Sequence, residues 1–458
     1  MVNHNIFRQY DIRGVWGRDL TEEAVRAVGD AFAVYLRERL KGRLPEGPVT
    51  VSVGMDARKS SPAMARVLTE ALLRSGMDVI DLGMCPTPLQ YFSLFRLPVQ
   101  GGIMVTGSHN PPEFNGMKLS VGRETLFGEM IQEIRALADR GARVEGARPG
   151  RRREHDIISE YKGFVAGGFG RLDGLKVVVD AGNGTGGLAG PDIMRDLGAE
   201  VVELYCEPDG DFPNHHPDPV VLENVRELME RVRAEKAHVG IGYDGDADRI
   251  GVVDEDGDVV WGDRLMIIFA REILREKPGA TVIGEVKCSQ TLYDDVRARG
   301  GNPVMWKTGH SLIKNKMKES GALLAGEMSG HIFFADRYFG YDDAVYASLR
   351  LLEILARSGR PYSVKRLLEG VPETFSTPEI RVDCPDDRKF DVVERVKGSF
   401  EGYPVIDIDG VRVNFPDGWG LIRASNTQPA LVLRFEATSP EALDRIRSFV
   451  EGELKKRM

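Results

Sequence analysis

The sequence predicts an α/β protein with three successive α/β units and a smaller α+β unit at the C-terminus. Three stretches repeat one order: a β-branched run, a glycine-rich or polar turn, an amphipathic helical pattern and another β run. The remaining stretch, from Val371, carries short adjacent strand patterns followed by a helix. The length of 458 residues agrees with this, because it corresponds to roughly three domains of about 150 residues, or to four compact ones.

The first unit contains strand patterns at 49–53, 79–82 and 102–105 and a helical pattern at 62–74. A polar, arginine-rich stretch at 141–156 follows it. We interpret this stretch as a solvated interdomain linker, because its arginines have no apolar partner positions.

The later units show the same kinds of pattern. The second unit has strands at 176–180 and 238–243 and a hairpin at 252–260, whose turn is Asp256-Gly257. The third unit has strand patterns at 282–285, 303–306 and 323–325. The C-terminal unit has strand patterns at 412–415, 420–423 and 430–436 and a helix at 440–455.

The composition excludes several classes of protein. Hydrophobic residues make up 42% of the chain, which is enough for folded cores and excludes global disorder. The formal net charge is −9, whereas nucleic-acid-binding proteins usually carry basic patches, so we do not expect nucleic acid as a partner. The four cysteines have no CxxC spacing and indicate neither a zinc site nor a disulfide framework. We find no export signal or membrane anchor and expect a cytoplasmic protein.

The most informative segment is Asp244-Gly-Asp-Ala-Asp-Arg249, which follows a strand. Its three carboxylates alternate along the chain, so in an extended loop they share one side and repel each other. A hard divalent cation would relieve this repulsion. A calcium-binding EF-hand is rejected, because Arg249 occupies the glycine position and strands flank the loop. A solvated acidic turn is the alternative interpretation.

A second segment, from Thr106 to Lys118, places Ser108 after the carboxyl end of a buried strand. Open α/β sheets bind their ligands at this edge, so Ser108 suits a nucleophile. His109 and Lys118 are the nearby titratable side chains that could assist it. Taken alone, the segment could equally be a polar turn.

Two further segments suit a phosphorylated sugar. Gly326-Glu-Met-Ser-Gly-His331 offers a carboxylate, a hydroxyl and an imidazole to sugar hydroxyls. Arg423-Ala-Ser-Asn-Thr427 offers a guanidinium, two hydroxyls and an amide, which together can surround phosphate oxygens. Each segment by itself could also be an ordinary polar turn.

One glycine-rich segment formally matches a dinucleotide-binding fingerprint. Gly182, Gly184 and Gly187 follow a strand, and Glu203 lies about 20 residues farther on. We do not predict nucleotide binding there, because glycine-rich turns often match by chance and Glu203 falls within a strand. His215 and His216 are adjacent and do not share a face, so we expect a packed loop rather than a metal site.

The four segments together resemble the α-D-phosphohexomutase superfamily over essentially the whole chain. Glu-Met-Ser-Gly-His is similar to the phosphomannomutase/phosphoglucomutase branch, whereas the phosphoglucosamine branch typically has Gln where Met328 stands. The resemblance implies three mixed-sheet α/β domains and a smaller C-terminal α+β domain around a central active-site cleft. It places them at 1–150, 151–254, 255–368 and 369–458. Gln428 departs from the family pattern, which often has Thr there.

The resemblance also implies a reaction. A phosphoryl group on Ser108 would pass reversibly between C1 and C6 of mannose or glucose phosphates, through a hexose 1,6-bisphosphate. Mg²⁺ would be held by Ser108, Asp244, Asp246 and Asp248. Lys118 is then our first choice as general base, and His109, Arg13 and His331 support the transfer. The substrate-binding residues would be Tyr10, Arg249, Lys287, His310, Glu327, Ser329, His331, Arg423, Ser425, Asn426 and Thr427.

Other functions are weighed against this one. A phosphoglucosamine mutase is the nearest alternative, and a metal-dependent serine phosphatase is a more distant one, because it would need no separate phosphate clamp. A nicotinamide-dependent dehydrogenase rests on the glycine-rich segment alone, and a catalytically silent binding protein would not need Ser108 and three aspartates. We expect hexose phosphates as the only class of partner and a monomer.

Overall fold

The computed structural model describes residues 2–42, 47–146, 148–426 and 428–458, and it folds these residues into four units, each built on its own β-sheet. Among the described helices, none combines the length and apolar character needed to cross a bilayer. Three sheets mix parallel and antiparallel pairs, and the fourth is antiparallel throughout. The predicted fold class is therefore confirmed.

The first unit has a seven-stranded sheet in the order β1-β5-β4-β2-β3-β7, with β6 beside β5. Its elements are β1 (Ile12–Val15), α1 (Glu22–Arg39), β2 (Thr50–Met55), α2 (Ser61–Arg74), β3 (Asp78–Met84), α3 (Thr87–Arg96), β4 (Gly101–Val105), β5 (Phe114–Val121), β6 (Glu124–Thr125), α4 (Glu129–Asp139) and β7 (Arg152–Glu154).

The interpretation of 141–156 as a linker is wrong at β7. This exposed strand pairs in parallel with β3 at the edge of the first sheet, where the Arg152 guanidinium lies 2.7 Å from the Asp81 carboxylate. Neither face of this edge strand is covered, so its residues do not alternate between apolar and polar. Its sequence therefore cannot be distinguished from that of a loop.

The second unit has the strand order β12-β11-β10-β8-β9. Its elements are α5 (Ile157–Ala166), β8 (Lys176–Asp180), α6 (Gly190–Asp196), β9 (Glu200–Leu204), α7 (Arg226–Glu235), β10 (Val239–Tyr243), β11 (Ile250–Val253) and β12 (Val259–Val260). The predicted hairpin is confirmed by the antiparallel pairing of β11 with β12, and Gly257 takes a left-handed φ of 79° in its turn.

The third unit has the strand order β14-β13-β15-β16. Its elements are α8 (Gly262–Glu276), β13 (Thr281–Glu285), α9 (Gln290–Ala298), β14 (Asn302–Trp306), α10 (His310–Ser320), β15 (Leu324–Gly326), β16 (Ile332–Phe334), α11 (Ala344–Arg357) and α12 (Val364–Leu367).

The C-terminal unit has a six-stranded antiparallel sheet in the order β17-β22-β21-β20-β19, with β18 also beside β22. Its elements are β17 (Phe375–Ser376), β18 (Ile380–Asp383), α13 (Lys389–Lys397), β19 (Val405–Ile406), β20 (Val411–Phe415), β21 (Gly418–Ala424), β22 (Ala430–Ala437) and α14 (Pro440–Lys455).

The cores show how the units are joined. One apolar cluster runs from α3 of the first unit through the sheet and helices of the second into α8 and α11 of the third. The C-terminal unit has a separate core beneath α13 and α14. Sheet membership differs slightly from the predicted domain boundaries, because β7 lies beyond residue 150 and β12 lies beyond residue 254. The four predicted ranges remain our proposal for the domains.

The glycine-rich segment 182–187 serves backbone packing. A Cβ atom on Gly184 would lie 2.6 Å from the carbonyl oxygen of Gly245, and one on Gly187 would lie 2.0 Å from that of Cys206. The backbone N–H of Thr185 also donates to the Gly245 carbonyl, at 3.1 Å. Gly184 therefore lets this loop pack against the aspartate-containing loop that follows β10, and Gly187 lets it pack against Cys206 after β9.

We expect Gly187→Ala to lower the free energy of unfolding by about 1–3 kcal/mol, as overpacking typically does. The clash is with backbone, which cannot move aside as a side-chain tip can. Gly163→Ala is the matched control, because a Cβ there meets nothing within 4 Å and the residue lies inside α5. Urea unfolding followed by circular dichroism measures both variants. Equal midpoints for the two would contradict this account of the segment.

Candidate active site

Three aspartates follow β10 and are completely buried. Asp244, Asp246 and Asp248 are each 0% exposed, and one carboxylate oxygen from each lies within 4.8 Å of the others. The loop closes on itself, because Asp244 Oδ1 accepts hydrogen bonds from the backbone N–H groups of Asp248 and Arg249, both at 3.1 Å. Burial and the charges of Asp248 and Asp246 raise the pKa of Asp244.

Positive charge and hydroxyl donors from the first unit face these carboxylates. Lys118, on β5, contacts Asp248 and lies 3.2 Å from Asp246 Oδ2. The same Asp246 oxygen accepts from the hydroxyls of Thr87, at 2.6 Å, and Thr106, at 3.0 Å. Burial opposes ionisation of Asp246, but Lys118 and the two threonines together lower its pKa.

Ser108 stands directly beside the aspartates. Its hydroxyl donates to Asp244 Oδ2 at 2.9 Å and lies 3.2 Å from His109 Nδ1. Its backbone is left-handed, with φ of 49°, and its N–H donates to the Thr106 hydroxyl at 2.8 Å. Burial, with the charges of Arg249 and Arg13, lowers the pKa of His109 well below its usual value.

Arg58 fixes the Ser108 loop, and the sequence analysis missed it. The guanidinium is almost fully buried and donates to the carbonyl oxygens of Ser108, at 2.7 Å, Asn110, at 2.5 Å, and Pro111, at 2.5 Å. Asp56 balances its charge at 3.1 Å. The available signal was the pair Asp56-Ala-Arg58 directly after β2, since charged residues at the carboxyl end of a buried strand are typical of ligand sites.

Two arginines, Arg13 and Arg249, also lie near Ser108. Arg13 donates to Asn110 Oδ1 at 2.8 Å and pairs with Asp11 at 2.5 Å. Arg249 lies between Asp244 and Asp218, at 3.3 Å from each carboxylate. Both guanidiniums are thus held close to the serine by carboxylates.

The Glu327 loop follows β15 in the third unit. Glu327 accepts from the backbone N–H of Gly309 at 2.7 Å and from the hydroxyl of Ser329 at 2.9 Å. Glu285, which the sequence analysis did not single out, lies fully buried beneath this loop. It accepts from the Met328 N–H at 3.3 Å and the Thr308 hydroxyl at 2.8 Å.

Lys287 and two histidines line the same loops. Lys287 pairs with Glu379 of the C-terminal unit at 2.5 Å. His310 begins α10 and stacks on His331, with ring centroids 5.6 Å apart. His331 Nδ1 in turn lies 2.9 Å from Asp342 Oδ2 and 3.6 Å from Asp248 Oδ1, so the third unit reaches the aspartate-containing loop of the second.

The Arg423 segment faces the other units from the end of β21. Arg423 donates to Asp409 Oδ2 at 3.0 Å, and the same oxygen accepts from the N–H of Thr308, also at 3.0 Å. Asn426 donates to the hydroxyl of Tyr10 at 2.6 Å, and this hydroxyl donates to the Thr308 carbonyl at 2.8 Å. Three units therefore meet at Tyr10.

Ser425 and Thr427 are also predicted to bind phosphate. The Ser425 hydroxyl accepts from the Gln428 N–H at 3.2 Å. Thr427 lies outside the described residues. The remaining predicted site residues and Ser425 form two neighbouring groups, which the stacking of His310 on His331 links. The first group surrounds Ser108 and contains Arg13, His109, Lys118, Asp244, Asp246, Asp248, Arg249 and His331. The second contains Tyr10, Lys287, His310, Glu327, Ser329, Arg423, Ser425 and Asn426.

The aspartate-containing loop fits a hard divalent cation. Asp246 Oδ1 and Asp248 Oδ1 are buried and accept no hydrogen bond, so each has lone pairs available for a metal. Mg²⁺ prefers carboxylate oxygens and keeps part of its coordination for other oxygen ligands. The nearby hydroxyl of Ser108 is such an oxygen. The donor set therefore fits a hard divalent cation.

Comparisons with known proteins agree across the whole chain. Four family models match in order: phosphoglucomutase/phosphomannomutase alpha/beta/alpha domain I at 4–144, domain II at 168–257, domain III at 261–375 and the C-terminal domain at 379–453.

Individual relatives are similar over nearly their full lengths. A phosphomannomutase/phosphoglucomutase of Pseudomonas aeruginosa is 45% identical over 454 residues, covering 98% of this chain and 96% of that protein. A phosphoglucomutase of Neisseria gonorrhoeae is 43% identical, with the same coverage. The crystal structure of a phosphoglucomutase/phosphomannomutase family protein from Burkholderia thailandensis matches with a TM-score of 0.92 and 42% identity, covering 100% of this chain and 98% of that one.

We expect Mg²⁺ to stabilise the protein and Asp246→Asn to abolish most of this effect. A ligand present at about 100 times its dissociation constant stabilises the folded state by about 2.7 kcal/mol. In the absence of metal the variant should be less stable than the parent, because Lys118, Thr87 and Thr106 stabilise the ionised Asp246 carboxylate and Asn loses the ion pair. Thermal unfolding with Mg²⁺ and with EDTA measures both effects.

Asp256→Asn is the control, since that carboxylate lies on the exposed hairpin turn outside the cluster. An Mg²⁺-induced shift of equal size in all three proteins would contradict the assignment of the ion to this loop.

Proposed function

The chain belongs to the phosphoglucomutase/phosphomannomutase family, and we propose that it moves a phosphoryl group between C1 and C6 of mannose or glucose phosphates. The observation that carries this proposal is the position of the Ser108 hydroxyl, 2.9 Å from Asp244 within a cluster of three buried carboxylates. A hydroxyl placed there can carry a phosphoryl group whose oxygens share a cation with the aspartates.

The transfer itself is assigned to residues around Ser108. Ser108 gives its phosphoryl group to the free hydroxyl of a hexose monophosphate and later receives the other phosphate of the resulting 1,6-bisphosphate. Lys118 is our first choice as the general base for the proton of the attacking hydroxyl. Asp246 and Asp248 raise the pKa of its ammonium well above the usual value, so Lys118 would act as a base only when a cation neutralises these carboxylates. Arg13 and His109 flank the serine within hydrogen-bonding reach of its loop, where they can hold phosphoryl oxygens. His331, which lies 3.6 Å from Asp248, supports proton transfer.

Mg²⁺ is the cation assigned to Asp244, Asp246, Asp248 and the oxygen carried by Ser108, and when bound it would neutralise charge on the transferring phosphoryl group. Arg249 lies 3.3 Å from Asp244 and can contact the same phosphate. The remaining task of the protein is to position the sugar.

Substrate binding is assigned to the second group of residues. Glu327 and Ser329 contact the sugar hydroxyls, and Arg423, Ser425, Asn426 and Thr427 hold the phosphate that is not reacting. Tyr10, His310 and Lys287 line the cleft between these two subsites. The bisphosphate must turn around between the two transfers, and a fixed phosphate clamp on the C-terminal unit serves both orientations.

Two alternatives are disfavoured by particular residues. A phosphoglucosamine mutase typically has Gln where Met328 stands. A serine phosphatase needs access for water at the phosphoserine and no second phosphate clamp, whereas here Arg423 is buried and oriented by Asp409. The proposal further includes a monomer in the cytoplasm, a reducing compartment that suits four buried free thiols.

The proposal predicts that Ser108 becomes phosphorylated. Incubation with glucose 1,6-bisphosphate should add one phosphate to the protein, and peptide mapping by mass spectrometry should place it on Ser108. Ser108→Ala should lose both the label and mutase turnover, because no other side chain occupies this position. Ser159→Ala, an exposed serine on α5, serves as the control. A label on another residue, or full turnover by Ser108→Ala, refutes the mechanism.

The proposal also predicts that Arg423 contributes mainly to substrate binding. A phosphate contact present in both ground and transition states changes KM more than kcat, so Arg423→Ala should raise KM for glucose 1-phosphate by more than it lowers kcat. Arg423→Lys should recover only part of the loss, because an ammonium lacks the bidentate geometry. Steady-state kinetics measure this split.

Arg445→Ala is the matched control for Arg423, since its guanidinium pairs with Asp417 on the exposed surface. Unchanged KM and kcat in Arg423→Ala would exclude Arg423 from the phosphate site.

A further inference from the structure

One buried carboxylate lies where three loops assigned to substrate binding begin. Glu285 is the last residue of β13, and β13 pairs in parallel with both β14 and β15. The carboxyl ends of parallel strands share one edge of the sheet, so the loops that follow these three strands meet there. In chain order, the three loops carry Lys287, the segment 308–310, and Glu327 with Ser329.

Each of the three loops donates a hydrogen bond to Glu285. Its Oε2 accepts from the backbone N–H of Lys287 and from the hydroxyl of Thr308, both at 2.8 Å. Its Oε1 accepts from the backbone N–H of Met328 at 3.3 Å, and the Lys287 ammonium lies 3.7 Å from the same oxygen. The Glu285 side chain is 0% exposed, so these protein donors take the place of water.

We propose that Glu285 is a positioning residue for the sugar, which fixes the three loops relative to one another without contacting the substrate. Its complete burial separates it from any ligand in the site. The inference rests on the proposed function, because the roles of the three loops are taken from there. Two of its contacts are to backbone N–H groups, so Glu285 acts on the path of each loop and not on one side chain alone.

The donors explain why this position requires a carboxylate. Both carboxylate oxygens only accept hydrogen bonds, and all three neighbours donate. In Glu285→Gln one oxygen becomes an NH2 group. In place of Oε2 this group would face the N–H of Lys287, and in place of Oε1 it would face the N–H of Met328. In either orientation two donors face each other, so one loop has to shift.

The test measures binding and does not depend on turnover. Full-length Ser108→Ala protein, which cannot carry the phosphoryl group, is titrated with glucose 1-phosphate and separately with inorganic phosphate by isothermal titration calorimetry. Adding Glu285→Gln should weaken glucose 1-phosphate binding by about tenfold, because the complex must restore the loop positions with one buried donor unpaired. Inorganic phosphate, which has no sugar to position, should lose much less affinity.

Glu353→Gln is the matched control. Glu353 is a buried carboxylate of the same unit, but it lies on α11 and pairs with Arg337 and Arg357. In the same Ser108→Ala background, this change should leave the affinity for both ligands unchanged.

Thr308→Val tests the contact from its other side. It removes one donor to Glu285 and should cause a smaller loss of glucose 1-phosphate affinity. Combined with Glu285→Gln, the loss should be smaller than the product of the two single losses, because both changes remove parts of one contact. If Glu285→Gln does not fold, Thr308→Val alone decides the question.

The inference is overturned if either variant binds glucose 1-phosphate as the Ser108→Ala parent does. It is also overturned if Glu285→Gln weakens the binding of phosphate and of glucose 1-phosphate by the same factor, since this would indicate a general loosening of the site. Failure of the Ser108→Ala parent itself to bind glucose 1-phosphate would overturn the proposed function together with this inference, which distinguishes the two failures.

Discussion

The burial of three carboxylates on one short loop is the constraint on which the rest of the site depends. Ionised groups at this distance and depth repel each other strongly unless opposite charge and hydrogen-bond donors surround them. Among the described residues, the second unit supplies Arg249 and the loop's own backbone N–H groups. Lys118, Thr87 and Thr106 come from the first unit and His331 from the third. The loop can therefore adopt this form only where three units pack together.

The Ser108 loop also contains an unfavourable feature, its left-handed backbone, which a side chain from elsewhere in the first unit stabilises. Ser108 is held in a left-handed backbone conformation that costs a non-glycine residue of order 1–2 kcal/mol. The guanidinium of Arg58 offsets this cost by binding several of the carbonyl oxygens of the loop at once. Because this support comes from contacts to backbone carbonyls, the conformation of the loop does not rely on the Ser108 hydroxyl.

Much of this arrangement could be predicted from the sequence, because it is encoded locally. Strands such as Lys176–Asp180 and the helix Pro440–Lys455 follow from short hydrophobic patterns, and Ser108 and the three aspartates are placed by their positions at strand ends. Residues that act through distant partners could not be predicted. Arg58 has a local signal in its position after β2, but only the packing of the loops shows that it binds the carbonyl oxygens of the Ser108 loop. The contacts of Glu285 and Asp342 likewise follow only from how the loops pack. The edge strand β7 was not predicted from the sequence, because neither of its faces packs against a core and its residues show no apolar pattern.

The hydrogen bond between Tyr10 and Asn426 joins residues 416 positions apart in the chain. Ribosomes add about 5–20 residues per second, so Tyr10 leaves the peptidyl-transferase centre roughly 20 to 80 seconds before Asn426 is made. During this interval the first three units have time to collapse around their shared core. The Arg423 segment is synthesised last, so the phosphate-binding side of the site is absent until the C-terminal unit has emerged. A nascent chain whose Ser108 loop is already folded therefore cannot yet bind the sugar phosphate. Catalytic competence is thereby tied to completed synthesis.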